Sequence, residues 1–327
     1  MATPTCALLK NPKEFEDHYF NSYANTYIHE EMIKDKNRTN GYKKAVDLAR
    51  HLFKNKVVLD VGCGTGILSI FAANAGAARV YAVEASGIAK YTKQIIFDNN
   101  LGDTITVLNQ KIENVELPEK VDIIISEWMG YSLFYESMIE SVIYARDMWL
   151  KPGGLMFPDK INIQLALLDD KGWLNDMCAW WDNVYGINMS AMRKAKREEP
   201  LNDIVKLGDL LAPPTVSKVI NMETATVADI YMPINFTLTC NRAGKFDAIV
   251  VSFEALFTHG KSRVSIDTSS AAPATHWKQM IYYTRSRNVK KGTSVSGDFT
   301  MHPNGDNRRN IDVHLKCGDF EKTYLIC

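Results

Sequence analysis

The chain has 327 residues, more than one core of ordinary size organises, so two domains are expected. With 46% apolar and 23% charged residues its composition is that of a globular protein, and 38 basic against 38 acidic residues argue against a strongly basic nucleic-acid binder. The six cysteines are scattered with no C-x-x-C pair, which disfavours a zinc motif, a redox motif or a disulfide framework and suggests a reducing compartment. No run approaches the roughly 20 apolar residues that span a bilayer, and the first ten residues lack the apolar core of a signal peptide.

In chain order, residues 14–50 carry aromatic and apolar residues three to four apart and read as helix. An interruption is expected at Asn37–Gly41, with a second helix from Tyr42 to Phe53. Lys56–Val61 (K-V-V-L-D-V) is an apolar run of strand length, the mark of a strand buried on both faces. A helix is expected over Ile67–Ala75, a strand over Arg79–Val83, a helix over Gly87–Asn99, and strands over Thr104–Leu108 and Val121–Ser126. Strands alternating with helices predict a parallel, doubly wound α/β sheet with right-handed crossovers. After Leu150–Pro158 the texture changes. Lys171–Pro200 is aromatic-rich and reads as helical, with Trp173, Trp180, Trp181 and Tyr185. From about Asn221 short β-type runs punctuated by Gly, Asn and Pro predict an all-β barrel or sandwich.

V-L-D-V-G-C-G-T-G places Gly62, Gly64 and Gly66 where a strand meets a helix, so the backbone can approach a ligand closely. A dinucleotide fingerprint would have its third glycine one residue later, where Ile67 stands, and there is no G-K-[ST] of a P-loop. Glu84 ends the second strand, where an acid can accept both hydroxyl hydrogens of a ribose. An adenosine-containing ligand without a pyrophosphate fits both features. Asp60, just before the loop, is placed to orient either its backbone or a bound amine.

Ile123–Met138 (I-I-I-S-E-W-M-G-Y-S-L-F-Y-E-S-M) follows the fourth strand, at the carboxyl edge where open α/β sheets bind ligands. Glu127 and Glu136 stand among Trp128, Met129, Tyr131, Phe134 and Tyr135. Carboxylates in apolar surroundings are costly unless a cation pairs with them, so a cationic ligand is implied.

The glycine loop with its acid resembles the Rossmann-like class I methyltransferases, and the sixteen residues around Glu127 and Glu136 resemble the double-glutamate loop of the protein arginine N-methyltransferases. Tyr19–Thr39 resembles that family's N-terminal cofactor-covering helix, with a departure at Tyr27, and Thr275–Gln279 (T-H-W-K-Q) resembles its T-H-W loop. The resemblance spans roughly residues 15–325, with no additional N-terminal module expected. It implies N-terminal helices over 1–40 covering the cofactor and a Rossmann-like S-adenosylmethionine domain over 41–157. A β-barrel-like domain over 158–327 would follow, with an inserted helical dimerisation arm at about 171–200.

By that resemblance Glu127, Glu136, His276 and Asp35 would be catalytic. His29, Arg38, Asp60, Gly62, Gly64, Thr65, Glu84 and Glu113 would bind the cofactor, with Arg38 on its methionine carboxylate and Glu113 near the adenine. Tyr23, Met32, Met129, Met138 and Trp277 would line the substrate pocket. His276 would hydrogen-bond Asp35 and either accept a proton late in the reaction or position the helix. The implied reaction moves a methyl from S-adenosylmethionine to a terminal guanidino nitrogen, leaving S-adenosylhomocysteine, with no metal. Monomethyl and asymmetric dimethylarginine (type I) products, Gly/Arg-rich RNA-binding proteins and histone tails as substrates, a homodimer or higher oligomer, and a nuclear and cytoplasmic location are implied with it. No membrane partner or nucleic-acid substrate is expected: a base N-methyltransferase would carry a proline-rich aromatic tetrapeptide where Ser126–Met129 stands, and two acids would repel phosphate. A non-catalytic subunit and an NAD-dependent oxidoreductase are the remaining alternatives. The first usually lacks the glycine loop or one acid, and the glycine spacing disfavours the second.

Overall fold

Five strands form the first sheet: β1 (Val57–Val61), β2 (Arg79–Val83), β3 (Ile105–Leu108) and β4 (Val121–Ile125), rich in valine and isoleucine, and β5 (Leu150–Phe157), which holds neither. In this computed structural model, which describes residues 12–172 and 178–327, they are parallel in the order β3-β2-β1-β4-β5. Every residue of β1 is buried, as expected of a central strand covered on both faces. The strand order reverses between β1 and β4, and Asp60 of β1 is in register with Ile125 of β4. The loops that follow these two strands therefore open side by side at the topological switch point, where such sheets bind ligands.

Helices α1 (Pro12–Ser22), α2 (Thr26–Lys34), α3 (Lys36–Leu48) and α4 (Arg50–Phe53) precede β1, and α5 (Ile67–Asn74), α6 (Ala89–Asp98) and α7 (Met138–Trp149) connect the strands. The N-terminal break does not fall at Asn37–Gly41; it falls at Tyr23–Asn25 and at Asp35. Asp35 is an N-cap whose carboxylate accepts from Arg38 N at 3.1 Å, which starts a new helix there. Gly41 lies inside α3 for a packing reason: a Cβ there would stand 2.5 Å from Ile266 Cγ1. It lets the helix approach strand β11 (Val264–Asp267) of the second unit closely.

Antiparallel strands begin at Lys160, well before Asn221. Strands β6 (Lys160–Leu168), β7 (Leu201–Asp203), β8 (Leu210–Asn221), β10 (Gly244–Phe257) and β12 (Gln279–Val289) make one sheet, with β11 attached to β10. A second sheet holds β9 (Ile234–Thr239), β13 (Ser294–Pro303), β14 (Ile311–Cys317) and β15 (Phe320–Ile326). Along β9 burial alternates residue by residue, so one face of that sheet is turned to the core. The region expected to be helical over 171–200 is helical, among its described residues, at 171–172, at 178–179 and in α8 (Ala191–Glu198), with a 3₁₀ turn at Trp180–Asp182; Trp173 lies outside the described residues. One core runs through both units. Tyr42 of α3 and Phe157 of β5 both pack on Phe257 of β10, with ring centroids 5.0 and 6.3 Å apart.

Candidate active site

The loop after β1 holds Gly62 and Gly64 at φ +71° and +54°. Gly62 N and Cys63 N donate to Val83 O at 2.9 Å, which lashes the loop to the end of β2. A Cβ on Gly62 would collide with Met138 Cε, and one on Gly64 would stand 3.2 Å from His29 Nδ1. Met138 and His29 both line the cavity above the loop, so a side chain at either glycine would intrude into it. Glu84 accepts from Gly64 N at 2.9 Å through Oε2 and from Ser86 N at 2.7 Å through Oε1. The acid at the end of β2 thus braces the cradle with its carboxylate at the cavity wall.

The cavity has a volume of about 480 Å³. The turn between α1 and α2 contributes Tyr23, and helices α2 and α3 contribute His29, Met32 and Arg38. Gly62, Gly64, Thr65, Glu84 and Glu113 line it from the β1, β2 and β3 ends of the sheet. Glu127, Met129, Glu136 and Met138 enter from the segment after β4, and His276 and Trp277 from the β domain. Asp35 and Asp60 are not on its wall. Asp60 is fully buried behind the loop, where Oδ2 accepts from Ser69 Oγ of α5 at 2.6 Å; burial pushes its carboxyl up to about 7. Glu113 accepts from Ser141 Oγ of α7 at 2.6 Å.

Arg38 stands on the cavity wall paired with one of the two acids. Its Nε and Nη2 stand 2.8 and 2.7 Å from Glu127 Oε2, and Nη1 donates to Met32 O at 3.3 Å. Glu127 Oε1 accepts from Met129 N at 3.1 Å. Glu136 is held by Tyr23, whose hydroxyl donates to Oε2 at 2.6 Å. Burial raises the Glu136 carboxyl to about 7, against the opposing effects of the Tyr23 hydrogen bond and the Arg309 charge. Burial and the Glu136 charge push the Tyr19 and Tyr23 phenols well above their ordinary value, so both remain donors near neutrality.

Tertiary contacts shape the loop between the acids. Trp277 Nε1 donates to Met129 O at 2.7 Å, Tyr42 OH donates to Ser126 O at 2.9 Å, and Ser132 Oγ and Tyr282 OH are 2.6 Å apart. Not all of its aromatic residues surround the acids: Phe134 points into the core and packs edge-on against Tyr231. His276 Nδ1 lies 2.7 Å from Asp35 Oδ2, and His276 N donates to the same oxygen at 2.9 Å. Burial alone would raise the Asp35 carboxyl, but the hydrogen bonds from His276 and Arg38 N outweigh it and hold the group below its ordinary value.

Wall residues not singled out from the sequence include Glu16, Tyr19 and Arg309. Tyr19 belongs to the Y-F-N-S-Y segment, so aromatic spacing is a signal for it. Arg309 lies between β13 and β14 in a polar turn that carries no local sign of a site. Among the described residues no group of three or more His, Cys, Asp or Glu could hold a metal ion.

Residues 58–154 match the family model described as a methyltransferase domain, and residues 159–319 match the arginine methyltransferase oligomerization subdomain. Protein arginine N-methyltransferase 1 of Caenorhabditis elegans is 44% identical over 92% of this chain and 88% of its own length. The protein of the same name from Chlamydomonas reinhardtii is 45% identical over 91% of this chain and 87% of its own. A Trypanosoma brucei PRMT1 structure, an enzyme-prozyme heterotetrameric complex with AdoHcy, superposes with a TM-score of 0.89 at 37% identity, covering 94% of this chain and 100% of that one. Arabidopsis thaliana protein arginine methyltransferase 10, in an open conformation, gives 0.83 at 31% identity with the same coverage.

Proposed function

We propose that this chain, which belongs to the protein arginine N-methyltransferase family, grips a substrate guanidinium between Glu127 and Glu136 and makes monomethyl and asymmetric dimethylarginine. The reaction class, S-adenosylmethionine-dependent N-methylation of protein arginine, comes with the family. The observation that carries the finer reading is the pair of carboxylates in one buried cavity that also contains the glycine cradle, with one of them already bound to a guanidinium.

Bound S-adenosylmethionine supplies a methyl group on a sulfonium. An arginine, with a pKa above about 12, arrives cationic and is repelled by that sulfonium. Glu127 and Glu136 offset the charge and can hold the planar fork by charge-assisted hydrogen bonds. They also draw positive charge toward the nitrogens they contact, leaving the remaining nitrogen more nucleophilic. Tyr23 directs Glu136, and Arg38 directs Glu127, so both acceptors are oriented in advance. The proton released on N-methylation needs an acceptor. Glu136, raised to about 7, is suited to take it, and His276, on the cavity wall with Asp35 behind it, is a second candidate acceptor.

Asymmetric product is supported by Met32 and Met138, two unbranched, adaptable side chains on the wall. We assign Gly/Arg-rich segments and histone tails as substrates by family likeness, with nucleus and cytoplasm as the place of action. Cofactor cover by residues before about 40 and dimerisation through the 171–200 arm are read in the same way. Trp180 and Tyr185 there are 52% and 96% exposed, apolar area in need of cover. Mass spectrometry of a Gly/Arg-rich peptide incubated with the purified chain and S-adenosylmethionine tests the proposal. Mono- and asymmetric dimethylarginine are expected; symmetric product would overturn the type I assignment, and no product would point to a non-catalytic subunit.

A further inference from the structure

Glu136 adopts φ +77° and Ser137 φ +54°, a left-handed conformation that non-glycine residues keep only when their surroundings enforce it. The enforcing contacts come from the turn between β13 and β14. Glu136 N donates to Arg309 O at 2.7 Å, Arg309 Nη1 donates back to Glu136 O at 2.7 Å, and Ser137 Oγ donates to Arg308 O. The turn is itself stiff: Asn304 N donates to Asn310 O, Asn310 N to Asn307 O, and Asn304 Nδ2 to Asp312. The rest of the Arg309 guanidinium faces α1. Nε and Nη2 donate to Glu16 at 2.8 and 3.2 Å, and the group lies 4.0 Å from the Tyr19 ring centroid.

We propose that Arg309 is a positioning residue for methyl transfer, which aims Glu136 at the substrate by clamping its backbone and at the same time ties α1 over the cavity. The inference rests on Glu136 being an acceptor of the substrate guanidinium. One side chain thus couples closure of the N-terminal cover to the direction of a catalytic carboxylate, and it does so from the β domain. The groups facing Glu136 are Tyr19 and Tyr23 of α1 and its flank, Arg309 of the β13–β14 turn, and Glu127 of its own segment. Tyr131 also feels its charge. Arg309 is the cation among these, so its removal leaves the carboxylate harder to ionise.

The test is steady-state kinetics on the full chain with an arginine peptide, from pH 6 to 9, for wild type, Arg309→Met and Arg309→Lys. For Arg309→Met we expect kcat/KM to fall by on the order of tenfold or more, with the acid limb moved to higher pH. Lysine keeps the charge but cannot span Glu16 and the Glu136 carbonyl together, so it should return the limb toward the wild-type position without restoring kcat. A wild-type pH limb and wild-type kcat in Arg309→Met would overturn the proposal. If Arg309→Met does not fold, the decision passes to Arg309→Lys, for which wild-type kcat and KM would be equally fatal. An inactive wild type would count against the proposed function itself, and so is distinguishable.

Discussion

Arg38 and Glu127 form an ion pair inside the cavity, with side chains only 8% and 7% exposed and two guanidinium nitrogens on one carboxylate oxygen. An acid proposed to receive a substrate guanidinium is thus already oriented by one of the chain's own. The desolvation of this pair is offset by its geometry and by the further contacts to Met32 O and Met129 N.

Removing one partner leaves a buried charge uncompensated. Arg38→Met should lower stability by about 3–5 kcal/mol, read as a drop in the denaturant midpoint. The double variant Arg38→Met/Glu127→Met should recover most of that loss and remain inactive. A double variant no more stable than the single one would show that the pair is not the source of the effect.

Glu136→Gln should abolish turnover and leave S-adenosylhomocysteine affinity, measured by calorimetry, within about threefold. It should also be more stable than wild type at pH 8. The folded-state value of about 7 lies above the unfolded value of 4.5, so the native state binds the proton more tightly. Wild-type stability therefore declines as pH rises between these values, and above 7 the full burial of charge is felt. The advantage of glutamine, on the order of 2–3 kcal/mol at pH 8, should shrink as pH falls toward 5. Equal thermal midpoints across this range would contradict the raised value.

The same ionisation sets a pH dependence of activity. Protonated Glu136 cannot offset a cationic substrate, so kcat/KM should fall tenfold per unit below about pH 7. A profile flat down to pH 5.5 would exclude Glu136 as the ionising group. Asp60 is raised to a similar value but faces Ser69 behind the loop, so Asp60→Asn should leave the limb in place.

Gly64→Val forces a β-branched residue into φ +54° and directs its Cβ toward His29, 3.2 Å away. Cofactor affinity should weaken by at least about tenfold in a calorimetric titration. Unchanged affinity would mean that the cradle is not the binding loop.

The elements around the parallel sheet were legible because apolar runs and glycine turns are local signals. Lys56–Val61 and Arg79–Val83 become strands β1 and β2 almost residue for residue. Gly41 misled for the converse reason: its role is set by Ile266 from the other unit, and a glycine serving close packing looks in sequence like a helix stop. Likewise β6 carries a long apolar stretch without the turn signals that make later β runs visible, and β8 holds Pro213 and Pro214, which in sequence read against a strand.

The segments Val58–Gly66 and Glu127–Glu136 each contain, in contiguous sequence, the chemistry of one wall: a backbone cradle and two acids. The residue types that such a wall needs lie together in the sequence, so its chemistry can be read there, although the shape of the Glu127–Glu136 loop is set by distant contacts. Which groups those walls face was settled by folding. Arg38 reaches Glu127 across 89 residues and Arg309 reaches Glu136 across 173, through elements whose approach depends on the shared core of the two units. Contacts of that range follow from packing in three dimensions, and spacing along the chain does not encode them.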